Sequence, residues 1–285
     1  MVRWLVPLVA VSLLASGCTK HKYPVAAKSF PNQIYVRIVS LSPSTTELLA
    51  MLEQERNMIG RTAACDAPET IRDIPIMANE RPEIEKIIGF QADLVVGDAH
   101  LIDPADAQKL RDQGIRVHLI EINSVDDWVD SVWELANVVL ASGTASRRVD
   151  EVRSAISRAT GDPVVPKPRV LIAMGGAEPW VAGTGTFQAD CVSKAGGVAV
   201  GPSGNMFVRV SKEQILGWNP QVVFVSDDPQ QYYGDVFWRA TDAGRTDSIV
   251  GVKTNLLLRP GARVANLINA MHREMKRAAA EAAGG

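Results

Sequence analysis

The 285-residue chain predicts an α/β protein of two related lobes, and three observations carry that prediction. Glu85-Lys-Ile-Ile-Gly-Phe-Gln-Ala-Asp-Leu-Val-Val-Gly-Asp98 lines up without gaps against Glu213-Gln-Ile-Leu-Gly-Trp-Asn-Pro-Gln-Val-Val-Phe-Val-Ser226, which marks an internal duplication. The apolar runs at 94–96 and 222–225 do not alternate in polarity, as expected of strands covered on both faces in a parallel sheet. Each half also opens on a strand followed by a helix, at 36–41 and 46–52 in the first and at 169–174 and 187–195 in the second.

Each copy of the repeat reads as a helix, a stop and a buried strand. Gly89 and Gly217 suit the left-handed position that ends a helix, with Phe90 and Trp218 folding back onto its last turn. Core packing accounts for the Ile, Val and aromatic positions but not for the matched Glu85 and Glu213. An exposed Glu in a first turn gains only about 0.3–1 kcal/mol from the helix dipole, and Asp would serve as well. A shared outside partner is left open by that mismatch.

In chain order, Met1-Val-Arg3 is a short basic region, and residues 4–14 are apolar but too few to span a bilayer, the pattern of a signal peptide over 1–17. The segment ends Leu14-Ala-Ser-Gly-Cys18, which resembles a bacterial lipobox with its Leu one place further from the Cys than usual. The resemblance implies that Cys18 is lipidated and anchors the protein to a membrane. Residues 18–35 lack apolar periodicity and read as a tether.

The amino-terminal lobe is predicted over 36–123. Ser42-Pro43-Ser44-Thr45 forms a turn whose hydroxyls cap the helix at 46–52, and a second strand near 58–60 leads into a long irregular loop at 61–82. The first repeat copy, a helix at 104–113 and a strand at 115–120 complete it. Interlobe helices follow over 124–160. Ser124-Val-Asp-Asp127 reads as a capping box, Ser142-Gly143-Thr144 as an interruption, and a second helix to residue 159 spans about 24 Å, enough to bridge two lobes. The carboxy-terminal lobe, 168–277, has Gly-rich loops at 175–185 and 201–210, the second repeat copy, a helix carrying Tyr232, Tyr233 and Trp238, and a last strand and helix that fray from Ala278.

Past the leader and the tether about 250 residues remain, enough for two lobes. The formal charge of −2 becomes −3 when Arg3 is lost, and with no long basic run the sequence excludes nucleic acid as a partner. Cys65 and Cys191 fall in different lobes with nothing to bring their Cα atoms within about 7 Å, so two separate thiols are expected.

Beyond these readings, the chain from 36 to 275 resembles the cluster A, or class III, substrate-binding proteins of ABC importers for vitamin B12, ferric siderophores and haem. The resemblance rests on Arg37-Ile-Val-Ser-Leu-Ser-Pro-Ser44 followed by Thr46-Glu47-Leu48, on Ala92-Asp93-Leu94-Val95-Val96, on the bridging helices, on Ser211-Lys-Glu-Gln-Ile215 and on Pro260-Gly-Ala-Arg263. It implies two Rossmann-like lobes joined by a rigid helix, a ligand in the cleft between them, and a monomer that works with an ABC permease and ATPase. One glutamate on each lobe then meets basic residues of the permease, and by motif these are Glu85 and Glu213.

Ligand contacts are expected at strand C-terminal ends. By position these are Ser42, Ser44, Asp66, Asn79, Arg81, Asp98, His100, Trp180, Phe207, Arg209, Tyr232 and Tyr233, each aromatic being as open to a core as to a cleft role. Cys65-Asp66-Ala67-Pro68 looks like the Cys-Asp-Tyr-Pro loop of a corrinoid-binding branch with Ala67 in place of the Tyr, which sets corrinoid slightly ahead. Arg81 and Arg209 equally suit a ferric siderophore's charge, and His100 with Tyr232 or Tyr233 suits haem iron. The metal arrives with the ligand, and no resident cofactor or metal is expected. There is no Gly-x-Ser-x-Gly and no Walker loop, and the four histidines are scattered, so a binding protein is expected rather than an enzyme. A chelatase-like tetrapyrrole enzyme is the alternative from another class, and a co-receptor lipoprotein without a small ligand is a third.

Overall fold

Five parallel strands make the first sheet of the protein, seen in a computed structural model that describes residues 34–79, 81–176, 179–226 and 228–284. In chain order the elements are β1 (Ile38–Ser40), α1 (Pro43–Met51), β2 (Met58–Thr62), β3 (Ile76–Ala78), α2 (Ile84–Gly89), β4 (Leu94–Asp98), α3 (Pro104–Asp112) and β5 (Arg116–Ile120). The strand order β3-β2-β1-β4-β5 puts β1 beside β4, with Ile38 opposite Leu94 and Val39 opposite Val95. Since all five run parallel, their C-terminal ends line one edge of the sheet. The signal peptide, Cys18 and nearly all of the tether lie outside the described residues.

Helix α1 begins three residues earlier than its hydroxyl-rich turn suggested: Pro43 opens it, and Ser42 Oγ caps it by accepting from the Thr45 N–H at 3.2 Å. Segment 61–82 is also more ordered than predicted, holding the end of β2, a 3-10 turn at Glu69–Ile71 and β3. Arg61 organises it by donating to the carbonyls of Ile71 and Cys65, both at 3.1 Å, and Arg72 at 2.9 Å. A three-residue strand is too short for alternation to register in the sequence.

Two helices lead to the second sheet, α4 (Val125–Val138) and α5 (Ser142–Gly161). Ser124 Oγ caps α4 as expected, accepting from the Asp127 N–H at 3.0 Å. The break between the helices falls at Leu140, with φ of 58°, while Ser142 and Gly143 belong to α5. At 20 residues, α5 is about 30 Å long.

The second sheet comprises β6 (Arg169–Met174), β7 (Trp180–Ala182), β8 (Val198–Ala199), β9 (Phe207–Arg209), β10 (Val222–Val225) and β11 (Ile249–Gly251). Its helices are α6 (Phe187–Lys194), α7 (Lys212–Trp218), α8 (Gln230–Tyr233), α9 (Val236–Arg239), α10 (Asp242–Arg245), α11 (Thr254–Leu257) and α12 (Val264–Gly284). Strands β11, β10, β6 and β8 are parallel, and β7 and β9 add an antiparallel margin where the sequence suggested only loops. The predicted single helix around Tyr232 and Trp238 is two, α8 and α9, and α12 continues past Ala278, which is buried.

One apolar core serves both lobes. It joins Leu48, Leu49 and Leu94 of the first lobe, Trp128 and Val132 of α4, Val149 and Val152 of α5, and Val170, Phe224, Leu267 and Met271 of the second. Separate clusters cover the outer faces, around Val39, Met77 and Val95 on one sheet and around Leu171, Val223 and Trp238 on the other. Each sheet is thus covered on both sides, as its unbroken apolar runs require. The shared core, more than any single helix, resists hinging between the lobes.

The duplication runs deeper than the matched segment. Arg37 Nε donates to the carbonyls of Phe90 (3.1 Å) and Gln91 (3.0 Å), and Arg169 Nε does the same to Trp218 (3.2 Å) and Asn219 (2.9 Å). Asp93 and Gln221, equivalent in the repeat, accept from the backbone N–H of Arg37 and Arg169 at 3.3 and 3.1 Å. The left-handed residues are Gln91 (φ 52°) and Asn219 (φ 40°), not Gly89 and Gly217, which sit inside α2 and α7. A Cβ at either glycine meets nothing within 4 Å. Gly89→Ala and Gly217→Ala should therefore each stabilise the fold by about 0.4–1 kcal/mol in urea unfolding.

Candidate ligand cleft

Side-chain contacts join the two lobes, and two of them involve segments near C-terminal strand ends. In one, Asn205 Nδ2 reaches Asn123 Oδ1 at 3.5 Å. In the other, Arg259, just beyond α11, forms an ion pair with Asp66 and donates from Nη2 to the Ala64 carbonyl at 3.3 Å.

On the first lobe, Asp98 ends β4 and accepts from the His100 N–H at 2.8 Å, while His100 Nδ1 lies 3.2 Å from the same Oδ1. His100 Nε2 is 3.6 Å from Glu121, which follows β5. These three side chains form an acid-imidazole-acid group at the rim. Asn79 and Arg81 are exposed after β3, and Glu80 between them lies outside the described residues. Ser42 and Ser44 are corrections: both are buried, Ser42 as the α1 cap and Ser44 with its Oγ 3.2 Å from that of Ser42. Their hydroxyls belong to an internal network in which Ser40 Oγ lies 2.7 Å from Thr45 Oγ1 and Thr46 Oγ1 lies 3.0 Å from Cys65 Sγ.

On the second lobe, Trp180 pairs with Met174 at the end of β6 and with Arg209 at the end of β9. Trp180 is 40% exposed, and the Arg209 guanidinium lies 5.7 Å from a ring centroid. That is an aromatic face carrying a cation, suited to a flat, partly charged ligand. Phe207, at the other end of β9, is partly buried against the shared core.

Both tyrosines are corrections as well. Tyr232 is fully buried edge-on to Trp238, with centroids 5.1 Å apart, and its hydroxyl accepts from the Gly176 N–H at 3.3 Å. Tyr233 Oη donates to the Ile249 carbonyl (3.1 Å) and accepts from the Ile249 N–H (2.9 Å), and burial pushes its hydroxyl pKa up. Both phenols are spent on the fold, so neither is poised to ligate iron.

The sequence reading missed Glu47 and Arg259 as chemistry. Glu47 is 3% exposed, yet it accepts from Arg263 Nη2 at 2.8 Å, Arg263 Nε at 3.3 Å and the Ala262 N–H at 3.3 Å. The available signal was a lone acid among Thr46, Leu48 and Leu49, where a buried charge requires a partner. Cys65 and Cys191 are both free and buried, and burial pushes the Cys191 thiol well up.

Glu85 and Glu213 stand exposed in the first turns of α2 and α7, on equivalent sites of the two lobes. The Glu213 backbone N–H, then the Ser211 hydroxyl, hold the Glu213 carboxyl below the usual carboxylate range.

Two α/β lobes with a shared core and a helical spine define the two-lobed class III binding-protein architecture. The chain belongs to the periplasmic binding protein family, which matches it over residues 38–256. A vitamin B12-binding protein of Yersinia pseudotuberculosis serotype O:1b is 25% identical over 236 residues, 81% of each chain. Among solved structures, the periplasmic vitamin B12 binding protein BtuF of Vibrio cholerae has a TM-score of 0.75 at 20% identity, covering 85% of this chain and 97% of its own. The periplasmic heme-binding protein RhuT from Roseiflexus sp. RS-1 also has a TM-score of 0.75, at 22% identity over 85% and 98%. No helix among the described residues is long and apolar enough to cross a membrane.

Proposed function

We propose that this chain is the substrate-binding lipoprotein of an ABC importer, which captures one metal-chelate ligand in its cleft and delivers it to the permease. The observation that carries this reading is the placing of the Trp180–Arg209 pair and the Asp98–His100–Glu121 group at or just beyond strand ends of a periplasmic binding protein fold. A corrinoid stays ahead of haem because both tyrosines that would have ligated iron serve the fold. The relatives of similar length that are vitamin B12-binding proteins support the same order. A ferric siderophore remains the further alternative, through Arg81 and Arg209. Capture is stoichiometric and without turnover in this reading, which separates it from a chelatase. Mass-spectrometric identification of the molecule that co-purifies with the protein tests it: a corrinoid or iron chelate supports the reading, and a reaction product formed on incubation with a tetrapyrrole contradicts it.

The anchor is part of the proposal. With Cys18 as the lipidated first residue, Cys18→Ala should leave an unprocessed or mislocalised precursor in membrane fractionation. A variant cleaved and anchored as before would remove the lipoprotein from this account.

A further inference from the structure

We propose that Gly89 and Gly217 belong to the docking surface: each leaves bare helix backbone one turn beyond its glutamate, on which a basic segment of the permease packs closely. The inference rests on the importer reading, with Glu85 and Glu213 as the docking acids.

Neither glycine is accounted for by the fold. Both lie inside helices, Gly89 in α2 and Gly217 in α7, and neither has the left-handed backbone that favours glycine. Both are exposed, and a Cβ at either meets nothing within 4 Å. Glycine in a helix costs stability relative to alanine, because it loses more backbone freedom on folding. The chain nevertheless carries it twice, at equivalent places of the duplicated unit. Gly143 and Gly161, near the two ends of α5, are equally open but lie outside that unit.

Position supplies the reason. Gly89 follows Glu85 by four residues and Gly217 follows Glu213 by the same interval, so each glycine shares a helix face with its acid, about 6 Å further along the axis. Leu216, three residues after Glu213, is 41% exposed on that side, and its equivalent Ile88 is half-buried. Each lobe thus presents a carboxylate, an apolar side chain and a bare backbone together. The acids are not spent on the fold. Neither forms an ion pair among the described residues, and the adjacent lysines are tied elsewhere, Lys86 to the Ile76 carbonyl at 2.6 Å and Lys212 to Asp235 at 2.8 Å. Charge makes the occupant basic, and the second copy of the surface suits a partner with two equivalent sites. A cationic side chain must come within hydrogen-bond distance of the carboxylate, and the segment bearing it then passes over the next turn. A side chain there would hold that segment off, whereas glycine lets two backbones meet.

The test is uptake of radiolabelled cyanocobalamin, haemin and a ferric siderophore by cells that depend on this protein, with affinity and melting temperature measured on purified variants. Gly89→Ala with Gly217→Ala should lower uptake about tenfold, and Gly89→Leu with Gly217→Leu should abolish it, because added atoms at a packed contact force the partner away. Both variants should bind the chelate as the wild type does, and the alanine pair should melt slightly higher. Gly143→Ala with Gly161→Ala, stabilising for the same reason, should leave uptake unchanged, which separates lost docking from a stiffer fold. Normal uptake by the alanine and leucine pairs would overturn the assignment. Weaker chelate binding or a lower melting temperature of the alanine pair would overturn it too, returning the glycines to the ligand site or the fold. If Glu85→Lys with Glu213→Lys abolishes uptake and the glycine variants do not, this inference alone falls. If the charge reversal also leaves uptake normal, or wild-type cells take up none of the three chelates, the reading beneath it falls as well.

Discussion

Glu85→Lys combined with Glu213→Lys should abolish ligand uptake by cells while ligand affinity and melting temperature stay nearly unchanged. The two glutamates are exposed, occupy equivalent positions in the duplicated helix-strand units, and are not needed to cap their helices. In α7 the cap is Ser211, with Gln214 completing a capping box, and the Glu213 charge is left outward. Two equivalent acids on two lobes suit a permease with two equivalent basic sites. Reversing their sign replaces attraction with repulsion, and like charges across an interface cost several kcal/mol, whereas an exposed Glu contributes little to folding. The Glu213 backbone N–H and the Ser211 hydroxyl hold its carboxyl below the usual range, which favours the charged form that docking needs. Uptake measured in cells, with affinity and melting measured on purified protein, separates the outcomes. Normal uptake would contradict docking, and loss of folding would make both residues structural.

Glu47→Ala should be the most destabilising single change at the lobe interface. It leaves Arg263 without its buried counterion and the Ala262 N–H without its acceptor. Removing one member of a fully buried, hydrogen-bonded ion pair costs about 3–5 kcal/mol, and the 32% exposure of Arg263 places this pair at the lower end of that range. For a protein of this size each kcal/mol lowers the melting temperature by about 2–4 °C, so the fall should be on the order of 10 °C by circular dichroism. Glu47→Met with Arg263→Met should recover much of that loss, because an apolar pair of similar volume leaves no stranded charge. A Glu47→Ala protein that melts like the wild type would mean that the clasp contributes nothing to joining the lobes.

The sequence made the two-lobed α/β order legible because its strongest signals are local ones: non-alternating apolar runs at 94–96 and 222–225, Ser caps at 42, 124 and 211, and a repeat aligned without gaps. Short elements escaped. β3, β7 and β9 are three residues each and take their place from pairing with distant strands, which no local pattern records. The helix stops were misjudged for a related reason: glycine is the usual left-handed residue, but here Gln91 and Asn219 take that conformation, held by Arg37 and Arg169 from far along the chain. Tyr232 and Trp180 show the limit for site residues. Both are aromatics near strand ends on the same lobe, and only the three-dimensional packing separates the buried one from the exposed one. The Glu47–Arg263 and Asp66–Arg259 pairs join residues about two hundred positions apart, a separation at which one sequence gives no pairing information.

The most direct test of the account is calorimetric titration of the purified, ligand-free protein with cyanocobalamin, haemin and a ferric siderophore. The account predicts saturable binding of one of the three at one site per chain, weakened when Trp180→Ala removes the exposed indole from the rim while the fold is kept. Absence of binding to all three, or binding unaffected by loss of that indole, would contradict the cleft as the site of capture.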